Sequence, residues 1–427
     1  MTGTNVPGRI ETLDVTRGIA VMGILAMNII AFAMPIGAYM NPLAFGGHGP
    51  IDIAIWLVNF IFVDGKMRGL FSFLFGASML LVIQNAEAKG EDEFSVHFRR
   101  MLWLLAFGLV HFYLIWWGDI LSLYAMVGAI AFLFRQMSVR ALLVWGIVLV
   151  GVEMVVAASF ANHLEMTEAA ALAPGATQEA VAAWTYLKGE FGPLPPAQLA
   201  ENLATYRGSY GEVVGARFRE QGALPLLTLI QVGWETLAYM LFGMAALKSG
   251  FLTGQWDVRR YRRWAILCYA LTLPVYVALA GIIMASDFDP KTVALAGLVA
   301  PTLPRPIMVA GLAAVIILAT RHGGALVERI AATGRAAFSN YLGTSLILTT
   351  IFYGYGFGLY GYLTRAQCYL VVVAVWVLML LWSKPWLARF NYGPLEWAWR
   401  SLARWRVQPL RKPVRPISPD AQRIPNP

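Results

Sequence analysis

The sequence predicts an all-α fold, a polytopic bundle of transmembrane helices, on three observations. The 427 residues are 58% hydrophobic and only 13% charged, where soluble domains carry about 25% charged residues. The mean hydropathy is +0.61. The apolar residues fall in repeated runs of the length that crosses a ~30 Å hydrocarbon layer. The net charge of +9 does not point to nucleic acid, because the basic residues sit at the ends of apolar runs and in the tail, where retention on the cytoplasmic side explains them. Cys268 and Cys368 lie in apolar segments, with neither metal spacing nor a disulfide framework.

Residues 1–16 are short and polar, and Arg17 to Met34 is the first span. Its Ala31-Phe32-Ala33 resembles a signal-peptide cleavage site. The segment nevertheless carries a polar stripe that a signal sequence does not need. Asp14 and Arg17 are three apart on one face, and Asn28 follows Arg17 by eleven residues, close to three whole turns. The stripe reads as a polar cavity or as a helix cap with a snorkelling arginine. Residues 35–50 form a Gly- and Pro-containing loop without Lys or Arg, suited to the outside. Ile51 to Val63 and Leu70 to Ile83 are short apolar segments around the break Asp64-Gly65-Lys66-Met67-Arg68-Gly69. They read as a discontinuous or re-entrant helix making one net crossing, which puts Arg99 and Arg100 in a cytoplasmic loop; two ordinary crossings are the alternative.

Arg99 to Trp117 runs outward with one histidine, His111. Counted from Arg100 it lies about 16 Å along the helix, near mid-depth. An ionisable group at that depth reads first as a functional site and otherwise as a neutral imidazole bonded to a carbonyl. Gly118-Asp119 makes the turn and Ile120 to Phe134 returns. Asp119 reads as the cap of the returning helix. Eight residues from His111, or about 12 Å along a continuous helix, it pairs with His111 only if the turn folds one back. Ala141 to Phe160 goes out, with Glu153 partway.

Residues 161–223 are the long hydrophilic insertion, with seven glutamates against four basic residues. Thr177 to Leu187 and Pro196 to Tyr206 read as short amphipathic helices. Pro225 to Leu247 is the next span, with Glu235 as its only charge. Its candidate partners are Lys66, Arg68, His111 and Arg17; a protonated carboxyl bonding another helix is the alternative. Lys248 and Arg259 to Arg263 mark a cytoplasmic loop. Leu267 to Met284 goes out, Ala294 to Thr320 returns across Pro301, Pro304, Arg305 and Pro306, Ala336 to Phe352 goes out with Asn340 and Tyr341, and Gln367 to Trp382 returns. From Lys384 the tail holds nine Lys or Arg against two acids. The parity closes with about ten crossings and both termini cytoplasmic. Four regions result: an N-terminal transmembrane half 1–160, an extracytoplasmic helical insertion 161–223, a C-terminal transmembrane half 224–390, and a basic tail 391–427.

Several motifs together resemble one family. Leu13-Asp14-Val15-Thr16-Arg17-Gly18 with Asn28 resembles the opening of the YeiB-like bacterial inner-membrane proteins, the domain of unknown function 418. Lys66 with Leu70 to Gly76, Phe107-Gly108 with His111, Gly118-Asp119-Ile120-Leu121, Leu241 to Met244, Gly334-Arg335 with Ser339-Asn340-Tyr341, and Gly393-Pro394-Leu395-Glu396-Trp397 extend the match to about Arg400. The resemblance implies a bacterial inner-membrane protein. It also implies a distant similarity to transmembrane acyltransferases of the acyltransferase-3 and heparan-glucosaminide acetyltransferase groups. Asn28 stands where acyltransferase-3 members tend to carry a histidine, so His111 takes that role.

The expected function is acyl transfer from a cytoplasmic donor, with acyl-coenzyme A as co-substrate and no tightly bound cofactor or metal. His111, Asp14, Arg17 and Asp119 are the candidate catalytic residues, with a base near neutral pKa at the centre. Asn28, Lys66, Arg68, Glu235, Asn340 and Tyr341 are the candidate substrate-binding residues, several of them able to steady an oxyanion. The competing function is a transporter with a proton-linked polar pathway through Lys66, His111 and Glu235. The expected partners are the bilayer and a small-molecule or lipid substrate. The oligomeric state is left open, a homodimer being compatible.

Overall fold

A computed structural model describes residues 11–47 and 49–413. The first ten residues, His48 and the proline-rich end of the tail from Val414 lie outside it, so the sequence-based placement of both termini falls partly on residues not described. The described residues are all-helical, with no strand. Seven segments are long and apolar enough to cross a membrane: Glu11–Ala33, Pro50–Glu87, Glu93–Ile115, Val139–Leu172, Leu224–Lys248, Val258–Ala285 and Arg365–Arg389. An eighth is the pair Pro290–Thr302 and Pro304–Thr320, bent by 63° at its break. This is a membrane protein.

Helix α1 (Glu11–Ala33) is the axial helix. In its most apolar window 78% of residues are buried, against 28% for α7 (Val139–Leu172), α12 (Val258–Ala285) and α17 (Arg365–Arg389), whose apolar faces stay open to lipid. Small residues let the inner helices touch backbone to backbone. A Cβ on Gly76 of α4 (Lys66–Glu87) would lie 2.1 Å from Met240 O, and one on Gly243 of α11 (Leu224–Lys248) 1.8 Å from Phe73 O. Neither site admits even a methyl group.

Segment Pro50–Glu87 runs through a break, as its charged centre predicts. Helix α3 (Pro50–Val58) loosens into a π-turn at Asn59–Val63, Asp64 is extended, Gly65 is left-handed at φ 69°, and α4 begins at Lys66. The same device recurs twice. Helix α5 (Glu93–Val110) ends in the π-turn His111–Ile115, and α13 (Pro290–Ala294) runs into the π-turn Leu295–Val299 before α14 (Pro304–Thr320). π-turns interrupt the regular ladder and recur at functional sites. Here Lys66, Asp119 and Arg305 follow them.

Two further pieces cover the ends of the bundle. Helix α7 is 34 residues long, about 51 Å, and passes without a break into the insertion. Helices α8 (Gln178–Phe191) and α9 (Pro196–Arg207) stand where the amphipathic patterns predict them. A third, α10 (Tyr210–Gln221), was not read from the sequence, although Ser209 and Glu212 form its capping box. The insertion packs beside the one-turn helix α2 (Gly37–Met40): Asn41 Nδ2 donates to Phe191 O at 3.0 Å and to Phe288 O at 2.9 Å. On the other side, α18 (Pro394–Ala403) closes over α16 (Ala337–Phe352). Glu396 accepts from Phe338 N at 2.7 Å, Ser339 N at 3.1 Å and Ser339 Oγ at 2.5 Å. It thereby caps α16 from 57 residues away, in place of a local N-cap residue.

Candidate active site

Helix α5 starts at Glu93 rather than Arg99, so His111 lies about 27 Å along it, near its far end rather than its middle. The chain then turns extended at Trp116 (φ −154°) and doubles back. This closes the gap to Asp119 that a continuous helix would leave open. His111 Nδ1 lies 2.8 Å from Asp119 Oδ1, both side chains fully buried. Asp119 Oδ2 accepts from Ser122 N at 2.8 Å, so the same carboxylate caps α6 (Leu121–Ala131) and holds the imidazole. The predicted cap is there, and it does both jobs. Gly108 makes the room, since a Cβ would lie 2.4 Å from Ser122 N and 3.0 Å from Asp119 Oδ2.

Tyr341 of α16 pins the turn on both sides of Asp119. Its hydroxyl donates to Gly118 O and accepts from Ile120 N, each at 3.3 Å. Its ring centre is 5.3 Å from that of His111, and Trp116 flanks the imidazole at 6.3 Å. Nδ1 faces a carboxylate oxygen, and in the neutral imidazole tautomer that donates to it the lone pair lies on Nε2. That nitrogen is buried and has no hydrogen-bond partner.

Tyr341 also lines a cavity of about 380 Å³ between α1, α4, α5, α6, α16 and α18. Its charged lining is four arginines, Arg17, Arg100, Arg335 and Arg400, against Asp14 and Glu396. Arg17 is tied down, 3.3 Å from Asp14 Oδ1 and 2.6 Å from Ser78 Oγ. The Arg100 guanidinium lies 4.1 Å over the Trp399 ring, and Trp399 Nε1 donates to Arg100 O at 2.9 Å. More guanidiniums than carboxylates around one cavity make it receptive to an anion. Burial pushes the Glu396 carboxyl above its ordinary value, against the Ser339 and Phe338 hydrogen bonds that pull it down. Asn28 lies farther along α1. It lines a separate pocket of about 10 Å³ with Trp116, Tyr341 and Thr344, about the space of one water.

A second buried polar group forms where the two broken spans meet α11. Glu235 takes Arg68 at 2.9 Å and Arg305 at 2.6 Å, and accepts from Tyr239 Oη at 3.2 Å. Glu153 Oε2 accepts from Glu235 N at 3.2 Å. Arg68 is thus the one partner of Glu235 among those the sequence proposed; Arg305 was read there only as part of a proline-rich break. Lys66 lies away from His111. It belongs to this second group, donating to Phe60 O at 2.6 Å, 3.5 Å from the centre of the Tyr276 ring. Asn340 sits in the packing between helices. Its amide donates to Thr333 O and Ser383 Oγ and accepts from Trp382 Nε1, which uses it to hold α15 (Ala325–Arg335) and α17 against α16. The two polar groups touch through Tyr124, which lines the cavity and contacts Ser72 Oγ at 2.8 Å and Arg68 O at 3.3 Å.

Residues 246–406 match the family model described as a protein of unknown function (DUF418). The chain is 30% identical to the uncharacterized protein YeiB of Escherichia coli K12, over 92% of this chain and 95% of the relative. It is 31% identical to the uncharacterized protein YxaH of Bacillus subtilis 168, over 95% and 96%. The chain belongs to the YeiB-like DUF418 family. An uncharacterized 39.9 kDa protein of Bacillus acidopullulyticus is 26% identical over 94% and 96%. No solved structure matches.

The motifs that carried the resemblance to the DUF418 family have defined places in the fold. Asp14 and Arg17 line the cavity, Gly108 and Gly118-Asp119 build the His111 turn, Tyr341 pins that turn, and Glu396 caps the helix that bears Tyr341. Gly76 and Gly243 set the α4–α11 contact that carries Glu235. Arg305, Glu153 and the insertion arginine Arg217 are the participants that sequence reasoning missed. The helix-breaking prolines around Arg305, the mid-span position of Glu153 and the Ser209–Glu212 capping box ahead of Arg217 were the available signals.

Proposed function

We propose that this protein is a membrane-embedded acyltransferase that takes an acyl group from acyl-coenzyme A and passes it to a hydroxyl or amine. The observation that carries the reading is the buried His111–Asp119 pair with Nε2 left free. In this reading Nε2 removes the proton of the acceptor as the acceptor oxygen or nitrogen attacks the thioester carbonyl. The carbon–sulfur bond then breaks and the thiolate leaves with the proton from the imidazolium. Asp119 fixes the tautomer and steadies the transient charge without itself being protonated. Tyr341, whose ring lies 5.3 Å from the imidazole, is the candidate beside His111 to steady the oxyanion, with Arg17 and Asn28 lining pockets that Tyr341 also lines. The arginine-rich cavity suits the donor's phosphates. A low-dielectric surrounding strengthens each of these interactions.

The topology proposed with it has ten crossings. Leu121–Phe134 and Ala337–Phe352 join the eight longer spans. An even count puts both termini on one side, and the arginines around 259–263, 321–335 and 384–412 favour the cytoplasm. The membrane is then the bacterial inner membrane. The test is incubation of purified protein with radiolabelled acyl-coenzyme A and lipid or sugar acceptors. Transfer by the wild type and its loss in His111→Ala supports the reading, and transfer unaffected by that change removes His111 from the chemistry.

A second reading, a transporter, is favoured by Glu235 held between Arg68 and Arg305 where two interrupted spans meet. Broken helices with buried charge are a common design of transport sites. Solute uptake into proteoliposomes without acyl transfer would decide for it.

A further inference from the structure

The last three carbonyls of the π-turn that begins at His111, those of residues 113 to 115, are satisfied from the insertion. A π-turn that ends in extended chain leaves its last carbonyls without intrahelical partners. Arg217 of α10, only 3% exposed, donates from Nη1 to Tyr113 O at 3.0 Å and from Nη2 to Ile115 O at 3.3 Å. Tyr210 Oη donates to the carbonyl between them, Leu114 O, at 2.9 Å. In return Tyr113 Oη donates to Gly222 O at 2.7 Å, and its ring stacks on Phe218 with centres 4.6 Å apart. Arg217 forms no ion pair with a carboxylate among the described residues. Its charge instead faces the negative end of α5, where a cation is favoured. A buried guanidinium spent on two backbone carbonyls is an expensive way merely to attach a loop.

We infer that Arg217 is a positioning residue for the His111–Asp119 pair, and that α10 is the strap that holds the π-turn in place. The reason is geometric. A π-turn is a local excess of one residue over the α-helical register. Were it to rewind, the chain beyond Ile115 would turn by about 100° about the helix axis. Asp119 lies beyond it and His111 before it, so rewinding draws the carboxylate off the imidazole. The Arg217 fork fits carbonyls 113 and 115 only in the present register, and its two bonds therefore select that register. The consequence for acyl transfer rests on the function proposed above; the positional claim stands on the geometry alone.

The experiment uses the full chain in detergent or nanodiscs, with hydrogen exchange of the 111–120 peptide and the ¹⁵N imidazole signal of His111 as readouts, neither requiring any activity. Arg217→Ala is expected to speed exchange of that peptide at least about tenfold while α1, α4 and α11 stay protected, and to move the His111 signal to its position in Asp119→Asn. Arg217→Lys, a single point donor without the fork, should recover only part of the protection. Unchanged exchange and an unchanged His111 signal in Arg217→Ala would overturn the inference. So would a uniform rise across the bundle, which marks a general structural role. Should Arg217→Ala not fold, Tyr210→Phe removes one phenol; a two- to fivefold rise confined to 111–120 supports the strap, and none refutes it. Absence of label transfer by the wild type would count against the acyltransferase reading while leaving these readouts intact.

Discussion

Glu235 on α11 and Arg305 at the start of α14 lie 2.6 Å apart, with side chains 3% and 7% exposed. The same carboxylate holds Arg68 from the other interrupted span at 2.9 Å. One acid therefore joins the second halves of two broken helices. In an apolar interior a charge is tolerated only when it is paired and hydrogen-bonded. Glu235 meets that demand with two guanidiniums and the Tyr239 hydroxyl.

Removing Glu235 should be costly. Glu235→Ala leaves the buried Arg305 and the part-buried Arg68 without their acid, and the expected loss is about 3–5 kcal/mol. Thermal unfolding in detergent measures it. The double change Glu235→Ala with Arg305→Ala should cost less than the sum of the single changes, because the second substitution removes a charge the first has stranded. Strict additivity would mean the pair is not coupled.

At the α4–α11 contact the limit is steric. Gly243→Ala would set a methyl 1.8 Å from Phe73 O, a backbone atom that cannot swing aside. Forcing the helices apart should cost about 1–3 kcal/mol, seen as a lower unfolding midpoint. Gly151→Ala on α7, with nothing within 4 Å of the added carbon, is the control. It should be neutral or slightly stabilising, since alanine favours the helix.

Glu396 gives a pH dependence with a definite sign. Burial raises its folded-state pKa above the unfolded value, so the folded protein binds more protons in the interval between the two. Its contribution is fully present below the unfolded carboxyl value and is lost as pH rises through the raised folded value. Melting midpoints should therefore fall over that interval. In Glu396→Gln, which stays neutral and keeps an acceptor for Phe338 N and Ser339 N, this component of the slope should vanish. A slope unchanged by the substitution would assign the effect to another group.

Asp119→Asn separates chemistry from folding. The amide still offers an oxygen to Ser122 N, so the α6 cap survives and stability should change by less than about 1 kcal/mol. Its NH₂ facing His111 reverses the imidazole tautomer and places the proton on Nε2. Initial rates of acyl transfer should drop about 10²- to 10⁴-fold, the span attributed to a positioned base.

For the cavity, Arg100→Gln should weaken coenzyme A binding about ten- to a hundredfold in calorimetry, the worth of a charge-assisted contact or two. Retained affinity would place the donor elsewhere.

Much of this protein is visible in the order of its residues. Apolar runs marked the spans because a helix in lipid must carry its hydrophobicity locally. The break at Asp64-Gly65 was legible because glycine beside charges interrupts such a run. The Asp14–Arg17 pair was legible because three residues is one helical turn. The capping box at Ser209 and Glu212 is equally local.

The partnerships that make a site are of another kind. Asp119 meets His111 because the chain folds back through a π-turn, Arg305 reaches Glu235 across 70 positions, Glu396 caps a helix 57 residues earlier, and Arg217 comes from an insertion about a hundred residues away. Local pattern fixes where a chain must be apolar and where it must bend, since those costs are met by each segment alone. Which buried charge finds which counter-charge depends on how the finished helices lie against one another, and one-dimensional spacing carries no record of that.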